Sequence, residues 1–175
     1  FADVDPITGN LNLNTIKDAL KTANFKVKLI VLVHLGGRPC DIKEIYEFAR
    51  KSGIKIVEDG CHAPLAKYFD KKLGFCDIGS CSHSSAVALS LHPIKHFTAG
   101  EGGVILTNDK KIYESSNLLR SHFLIKDKSR FHNKKEQNNP WYYEINDLGY
   151  NYRLSEINAA LAFSQLKRLD SSIQK

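Results

Sequence analysis

Leu29-Ile30-Val31-Leu32-Val33, the break Gly36-Gly37-Arg38-Pro39, and Ile54-Lys55-Ile56-Val57-Glu58 decide the fold. The first run is short and made of β-branched residues and Leu, the pattern of a buried strand. The glycines and Pro39 interrupt it. Asp41 then predicts a helix N-cap, and Ile42, Ile45, Tyr46, Phe48 and Ala49 form an apolar stripe running to about Lys51. Ser52-Gly53 ends that helix, and Ile54 to Glu58 reads as the next strand. Strand, helix and strand make a βαβ unit, so the two strands should be parallel and their crossover right-handed.

The same alternation continues outward. Ala86 to Leu91 reads as a strand, and so does Val104 to Thr107 after a cluster of glycines. Asn108-Asp109 opens a helix through roughly Arg120, with Ile112, Tyr113, Leu118 and Leu119 only loosely periodic. Ser121 to Asn139 carries no period. Ser155-Glu156 opens the last helix, with Ile157, Ala160, Leu161, Ser164, Leu166 and Leu169 at helical spacings. No repeat, low-complexity tract or linker divides the chain. Residues 1–175 therefore read as one α/β domain, a mostly parallel sheet flanked by helices.

Composition narrows the function classes. The 175 residues suffice for a real core, and 42% hydrophobic with 25% charged is an ordinary globular balance. No apolar run approaches the ~20 residues of a membrane helix, so no membrane partner is expected. The net charge is +6 and the pI is about 9.1, which could suit a polyanion. Lys and Arg are spread along the chain, however. Their one concentration, Lys126 to Lys135, lies in a polar stretch that reads as a solvated loop. We therefore expect no nucleic-acid partner, and a contribution to binding a nucleotide-linked anion fits better. Cys40, Cys61, Cys76 and Cys81 form no Cys-x-x-Cys and have no zinc-type His pair, so no metal is expected. They read as reduced, mostly buried thiols of a cytoplasmic protein. The chain opens on Phe1 and contains no Met, which we read as an internal piece of a longer protein.

The chemistry gathers around two residues. Asp59 closes the apolar strand in Val57-Glu58-Asp59-Gly60-Cys61-His62-Ala63, and in open α/β sheets ligands bind beyond the carboxyl ends of strands. Lys95 follows another strand end in Ser90-Leu91-His92-Pro93-Ile94-Lys95, just before Gly100-Glu101-Gly102-Gly103. Each has a plainer reading, a turn-capping Asp and a surface Lys. Together they form the set that holds and uses pyridoxal 5'-phosphate. The Lys supplies the Schiff-base amine, the carboxylate keeps the pyridine nitrogen protonated, and a nearby hydroxyl such as Ser90 contacts the phosphate. A tightly turned loop can also desolvate the amine and lower its pKa. The glycines do not form a dinucleotide-binding fingerprint. His62 is placed to pack on the ring or to be structural. Asn151-Tyr152-Arg153 reads as a loop docking the last helix or as an anion-binding pair.

These residues resemble the DegT/DnrJ family of sugar-nucleotide aminotransferases. The resemblance rests on Val57 to Ala63, Ser90 to Lys95, Gly100 to Val104, Leu119-Arg120-Ser121-His122 and Leu148 to Leu154, in the family's order. It implies the large domain of a fold type I pyridoxal-phosphate transferase, an α/β/α sandwich. Lys95 would be the covalent attachment point and Asp59 the partner of the pyridine nitrogen. His62 would be a ring-side contact and Ser90 a phosphate ligand, with Asn151 and Arg153 reaching the cofactor of the neighbouring subunit in a homodimer. Gly79 to Ser84 and Pro140-Trp141-Tyr142-Tyr143-Glu144 are most similar to the 4-aminotransferases of the pseudaminic acid pathway. Those move an amino group from L-glutamate to a UDP-linked 4-keto-6-deoxy-N-acetylhexosamine. The implied mechanism is a two-stage transamination, with Lys95 as general base and acid in both halves.

Two departures follow from the same resemblance. Phe123 stands where Gly commonly follows Arg-Ser-His. The family's N-terminal phosphate-binding loop and C-terminal small domain are absent from these residues. A non-catalytic fragment or binding module derived from such an enzyme is therefore an alternative. A pyridoxal-phosphate sugar dehydratase is another, and it typically carries His where this chain has Lys95.

Overall fold

The computed structural model describes residues 1–174. They form two compact units, one of Phe1–Asn108 with the C-terminal helices and one of Asp109–Ser155.

The first unit opens with α1 (Leu13–Thr22), an element with no counterpart in the sequence reading. Asn12 caps it, accepting from the Asn14 and Thr15 N–H groups at 2.9 and 3.0 Å. The Asn12 N–H donates to Thr15 Oγ1 at 3.2 Å, which completes a capping box with Thr in place of the usual Glu or Gln. Strand β1 (Leu29–Val33) has the predicted bounds. Helix α2 (Ile42–Lys51) follows. Asp41 occupies its N-cap position but makes no side-chain capping bond, because its backbone (φ −73°, ψ 62°) is not the extended one a cap uses.

Strand β2 is Lys55–Asp59. The unpredicted strands β3 (Lys67–Asp70) and β4 (Gly74–Asp77) make an antiparallel hairpin. Asp70 organises its turn by accepting from the Lys72 and Leu73 N–H groups at 2.6 and 2.9 Å. The same carboxylate pairs with Lys43 at 2.7 Å. Hydrogen bonding to Lys43 is the chief reason its carboxyl is held well below the usual carboxylate range.

Strands β5 (Ala86–Ser90) and β6 (Gly103–Leu106) complete a sheet of order β1-β2-β5-β6. The strands β1, β2 and β5 are parallel, with Val33, Asp59 and Ala88 in register across the three. The expected mostly parallel α/β sheet is therefore present, and β6 runs antiparallel to β5. The connection between them holds no helix. A short connection of that kind returns a strand antiparallel, whereas a parallel neighbour needs a crossover.

Ile30 and Leu32 of β1 and Ile56 of β2 share one face with Ile16 of α1 and Ile42, Ile45 and Ala49 of α2. All are buried, and each fully buried aliphatic side chain contributes about 1.5–3 kcal/mol relative to exposure. On the opposite face, Leu29, Val31 and Val33 are 48%, 49% and 42% exposed. Helices thus cover β1 on one side only within the described residues.

The second unit starts with α3 (Lys110–Leu119), capped by Asp109 at the Lys111 N–H (2.8 Å). The stretch without period contains β7 (Leu124–Ile125), which pairs antiparallel with β8 (Glu144–Ile145). Its core is Ile125 and Phe131, with the Phe131 ring edge-on to Tyr142 at 5.0 Å. Phe123, at the position where the resemblance expects Gly, has φ +55°, and His122 has φ +60°. The backbone there is left-handed, which is the conformation Gly favours. Gly149 passes directly over this turn. A Cβ on it would lie 2.3 Å from the Phe123 nitrogen and 2.4 Å from the His122 carbonyl carbon. Gly149→Ala is therefore expected to destabilise this unit by about 3 kcal/mol or more, read as faster amide exchange across residues 109–155.

The predicted last helix is two helices in the first unit, α4 (Glu156–Leu166) and α5 (Leu169–Ile173). The break at Arg168 turns Leu169 inward, where it is buried.

Candidate active site

The parallel strands β2 and β5 end side by side. Asp59 is the last residue of β2, and the ladder runs one residue further through the Gly60 N–H to the Ala88 carbonyl at 2.9 Å. Gly60 leaves the sheet pressed against β5, and a Cβ there would meet Leu89, Ile78 and Val87 at 2.9–3.0 Å. The half-buried Asp59 carboxylate is oriented by the Cys61 N–H, which donates to Oδ1 at 3.1 Å. A turn closed by the Ala63 N–H on the Gly60 carbonyl (2.9 Å) carries His62.

Ser90 is the last residue of β5, and its hydroxyl accepts the His92 N–H at 3.2 Å. The following loop is stapled at its base. Leu91 donates its N–H to Gly102 (2.9 Å), and its carbonyl accepts the Ala99 N–H (3.0 Å) and the Thr98 hydroxyl (2.8 Å). Leu91 and Ala99 are buried. Lys95 sits on this closed loop, half-buried, with its N–H on the His92 carbonyl at 3.0 Å. Gly100, with φ +81°, lets the chain turn back to β6. The glycines serve the backbone, and Thr98, which the sequence reading passed over, supplies a staple.

Cys61 reports how these pieces converge. Burial pushes its thiol up to about 11, reinforced by its hydrogen bond to Asp59 and the Asp59 charge. The Lys95 charge and the Ser90 N–H act in the opposite direction. The surroundings of this thiol therefore include the Asp59 carboxylate, the Ser90 backbone N–H and the charge of Lys95. The thiolate is the reactive form, so alkylation of Cys61 should be slow at pH 8 and rise about tenfold per pH unit toward 11. A rate already at its plateau by pH 8.5, followed by mass spectrometry of the Cys61 peptide, would contradict this arrangement.

Asn151 and Arg153 belong to the second unit. Asn151 forms an antiparallel bridge with Ser121, between two stacked rings, Tyr150 and Tyr152, at 4.8 Å and 7°. Both Asn151 and Arg153 are exposed. The structure thus gathers Asp59, His62, Ser90 and Lys95 in the first unit and holds Asn151 and Arg153 in the second.

A buried pair escaped the sequence reading. Glu58 is 2% exposed and His34 is fully buried, with His34 Nε2 at 2.9 Å from Glu58 Oε2. The signal was available. Glu58 alternates with Ile56 on the core face of β2, where a carboxylate is tolerated only with a partner.

Comparison with known proteins agrees with this geometry. The sequence profile of the DegT/DnrJ/EryC1/StrS aminotransferase family matches residues 1–175. The spore coat polysaccharide biosynthesis protein SpsC of Bacillus subtilis is 34% identical over 171 residues, covering 97% of this chain and 40% of SpsC. The UDP-4-amino-4,6-dideoxy-N-acetyl-beta-L-altrosamine transaminase of Campylobacter jejuni is 32% identical over 167 residues, covering 95% of this chain and 40% of that protein. Among solved structures, Helicobacter pylori PseC, an aminotransferase involved in the biosynthesis of pseudoaminic acid, superposes with a TM-score of 0.79 at 27% identity. That superposition covers 98% of this chain and 40% of PseC. The chain thus spans about two fifths of the length of these relatives. With the match running from first residue to last, over a sheet in which Asp59 and Ser90 end adjacent parallel strands and Lys95 lies on the loop that follows, the chain belongs to the DegT/DnrJ/EryC1/StrS aminotransferase family.

Proposed function

We propose that residues 1–175 are part of the cofactor-binding large domain of a pyridoxal 5'-phosphate-dependent sugar-nucleotide aminotransferase. The observation that carries this reading is that Asp59 ends β2 in register with Ala88 of the adjacent parallel strand β5, that Ser90 ends β5, and that the stapled loop which follows carries Lys95, in a chain of this family. The residues fit the cofactor. An amine on a stapled loop, a strand-end carboxylate and a strand-end hydroxyl are its three chemical needs. The raised thiol of Cys61 stays neutral and does not compete for the aldehyde.

When bound, the cofactor supplies an electron sink for the pair released as a substrate C–H bond breaks. Lys95 anchors it through Nζ and moves a proton at that same atom. Asp59 holds a proton on the ring nitrogen. Ser90 Oγ binds the phosphate and His62 flanks the ring. Asn151 and Arg153 serve the neighbouring subunit's cofactor in a homodimer. The donor is L-glutamate. The acceptor is a UDP-linked 4-keto-6-deoxy-N-acetylhexosamine, a reading supported by the transaminase relative named above. We read the enzyme as cytoplasmic. No described helix is long and apolar enough to cross a membrane.

Borohydride reduction of the full-length protein loaded with the cofactor, followed by peptide mapping, tests the reading. The reduced adduct is expected on Lys95. An adduct on another lysine, or none at all, overturns the assignment.

A further inference from the structure

The His34–Glu58 pair lies directly beneath Asp59. His34 follows β1, and Glu58 precedes Asp59 in β2. His34 makes three contacts, two to β2 and one to the loop at Cys40. Its N–H donates to the Asp59 carbonyl at 3.1 Å. Its Nδ1 accepts the Cys40 N–H at 3.2 Å. Its Nε2 meets the Glu58 carboxylate at 2.9 Å. Because Nδ1 is an acceptor here, the ring proton sits on Nε2 and points at Glu58, so the tautomer is set by the geometry. The loop tied down at Cys40 also touches the site. Gly37, with φ +85°, lies so close to the His62 carbonyl oxygen that a Cβ would be 3.1 Å from it.

A buried carboxylate–imidazole pair is poor evidence of stability, since an apolar pair of similar volume is often as stable or more so. Its placement suggests another role. The Asp59 side chain on the open face is oriented by the Cys61 N–H. The strand end that carries it is held in the sheet by the His34 backbone N–H and on the opposite face by the His34 side chain at Glu58.

We propose that His34 and Glu58 are positioning residues for Asp59, fixing the strand end so that its carboxylate lies in line with the ring nitrogen of the cofactor. This rests on the proposed function above. A displacement of about 1 Å at a reacting group can cost on the order of a hundredfold in rate.

The test uses full-length protein carrying His34→Leu/Glu58→Leu, with Glu58→Gln alone as the conservative comparison. Both members of the pair leave together in the double variant, so neither is orphaned by the other, and the acceptor lost is that of the Cys40 N–H. Three outcomes are expected of the double variant. Borohydride still fixes the cofactor to Lys95, the visible circular dichroism of the bound cofactor changes in sign or at least halves, and kcat falls tenfold or more while KM for glutamate stays within twofold. Glu58→Gln, which still accepts from His34 Nε2, should keep the parent dichroism and rate. A double variant with the parent's dichroism and kcat overturns the positioning role while leaving the Lys95 assignment intact. If the double variant fails to fold, Glu58→Ala, which removes the acceptor of His34 Nε2, decides: changed dichroism with the Lys95 adduct retained supports the proposal, and parent-like dichroism and rate overturn it. Absence of the Lys95 adduct in the parent protein is the separate signature of failure of the underlying reading, and the positioning role falls with it.

Discussion

A Lys95→Ala variant of the full-length protein is expected to lose transamination by about 10⁴-fold or more, because in the proposed function one amine both anchors the cofactor and moves the substrate proton. At 25 °C that corresponds to about 5.5 kcal/mol of transition-state stabilisation. The fold should not suffer. Only the backbone N–H of Lys95 is engaged in the loop, and the staple is made by Leu91, Thr98 and Ala99. Its melting temperature should therefore match the parent's. Lys95→Arg should be equally inactive, since a guanidinium stays protonated at neutral pH and can neither attack the cofactor aldehyde nor accept a proton. The decisive measurement is single-turnover release of 2-oxoglutarate from glutamate. A variant retaining a tenth of the parental rate would remove Lys95 from the chemistry.

The parts of this arrangement that follow chain order were legible in the sequence. The βαβ unit could be read because Leu29 to Val33 and Ile54 to Glu58 are apolar runs separated by a helical stripe. Local pattern and tertiary structure agree there. Asp59 and Lys95 stood out because each follows a strand end. The direction of β6 was not legible, since the apolar run Val104 to Leu106 reads the same for either orientation. The β3–β4 hairpin was missed because its strands are four residues each and mix aromatic with charged residues, and its order comes from Asp70, Lys43 and the turn amides. The Tyr68 hydroxyl at 2.7 Å from His83 adds a further contact between residues far apart in sequence. The His34–Glu58 pair was missed for the same reason. Hydrogen bonds between distant residues leave no period, and only the misfit of a charge on a core face announces them.

Asp59→Asn should produce the second large effect, about 10³-fold in kcat, or roughly 4 kcal/mol. The substitution is nearly isosteric. Its amide oxygen can still accept the Cys61 N–H at the place of Oδ1, so the turn through Gly60 to Ala63 should hold its shape. What changes is the second atom. In the proposed role a carboxylate oxygen accepts a hydrogen bond from the protonated ring nitrogen and balances its charge, whereas an amide nitrogen only donates. The ring nitrogen then loses its proton, and an uncharged ring withdraws electrons poorly. The loss should fall on the step that breaks the substrate C–H bond. With glutamate deuterated at the α-carbon, the kinetic isotope effect on kcat should rise toward its full value in the variant. Cofactor affinity should change by less than tenfold, because Lys95 and the phosphate contacts remain. The Cys61 thiol gives an independent check, since removing the Asp59 charge takes away one of the influences raising it. Its alkylation at pH 8 should therefore quicken in Asp59→Asn. Near-parental turnover of glutamate with an unchanged isotope effect would mean that Asp59 does not hold the ring nitrogen.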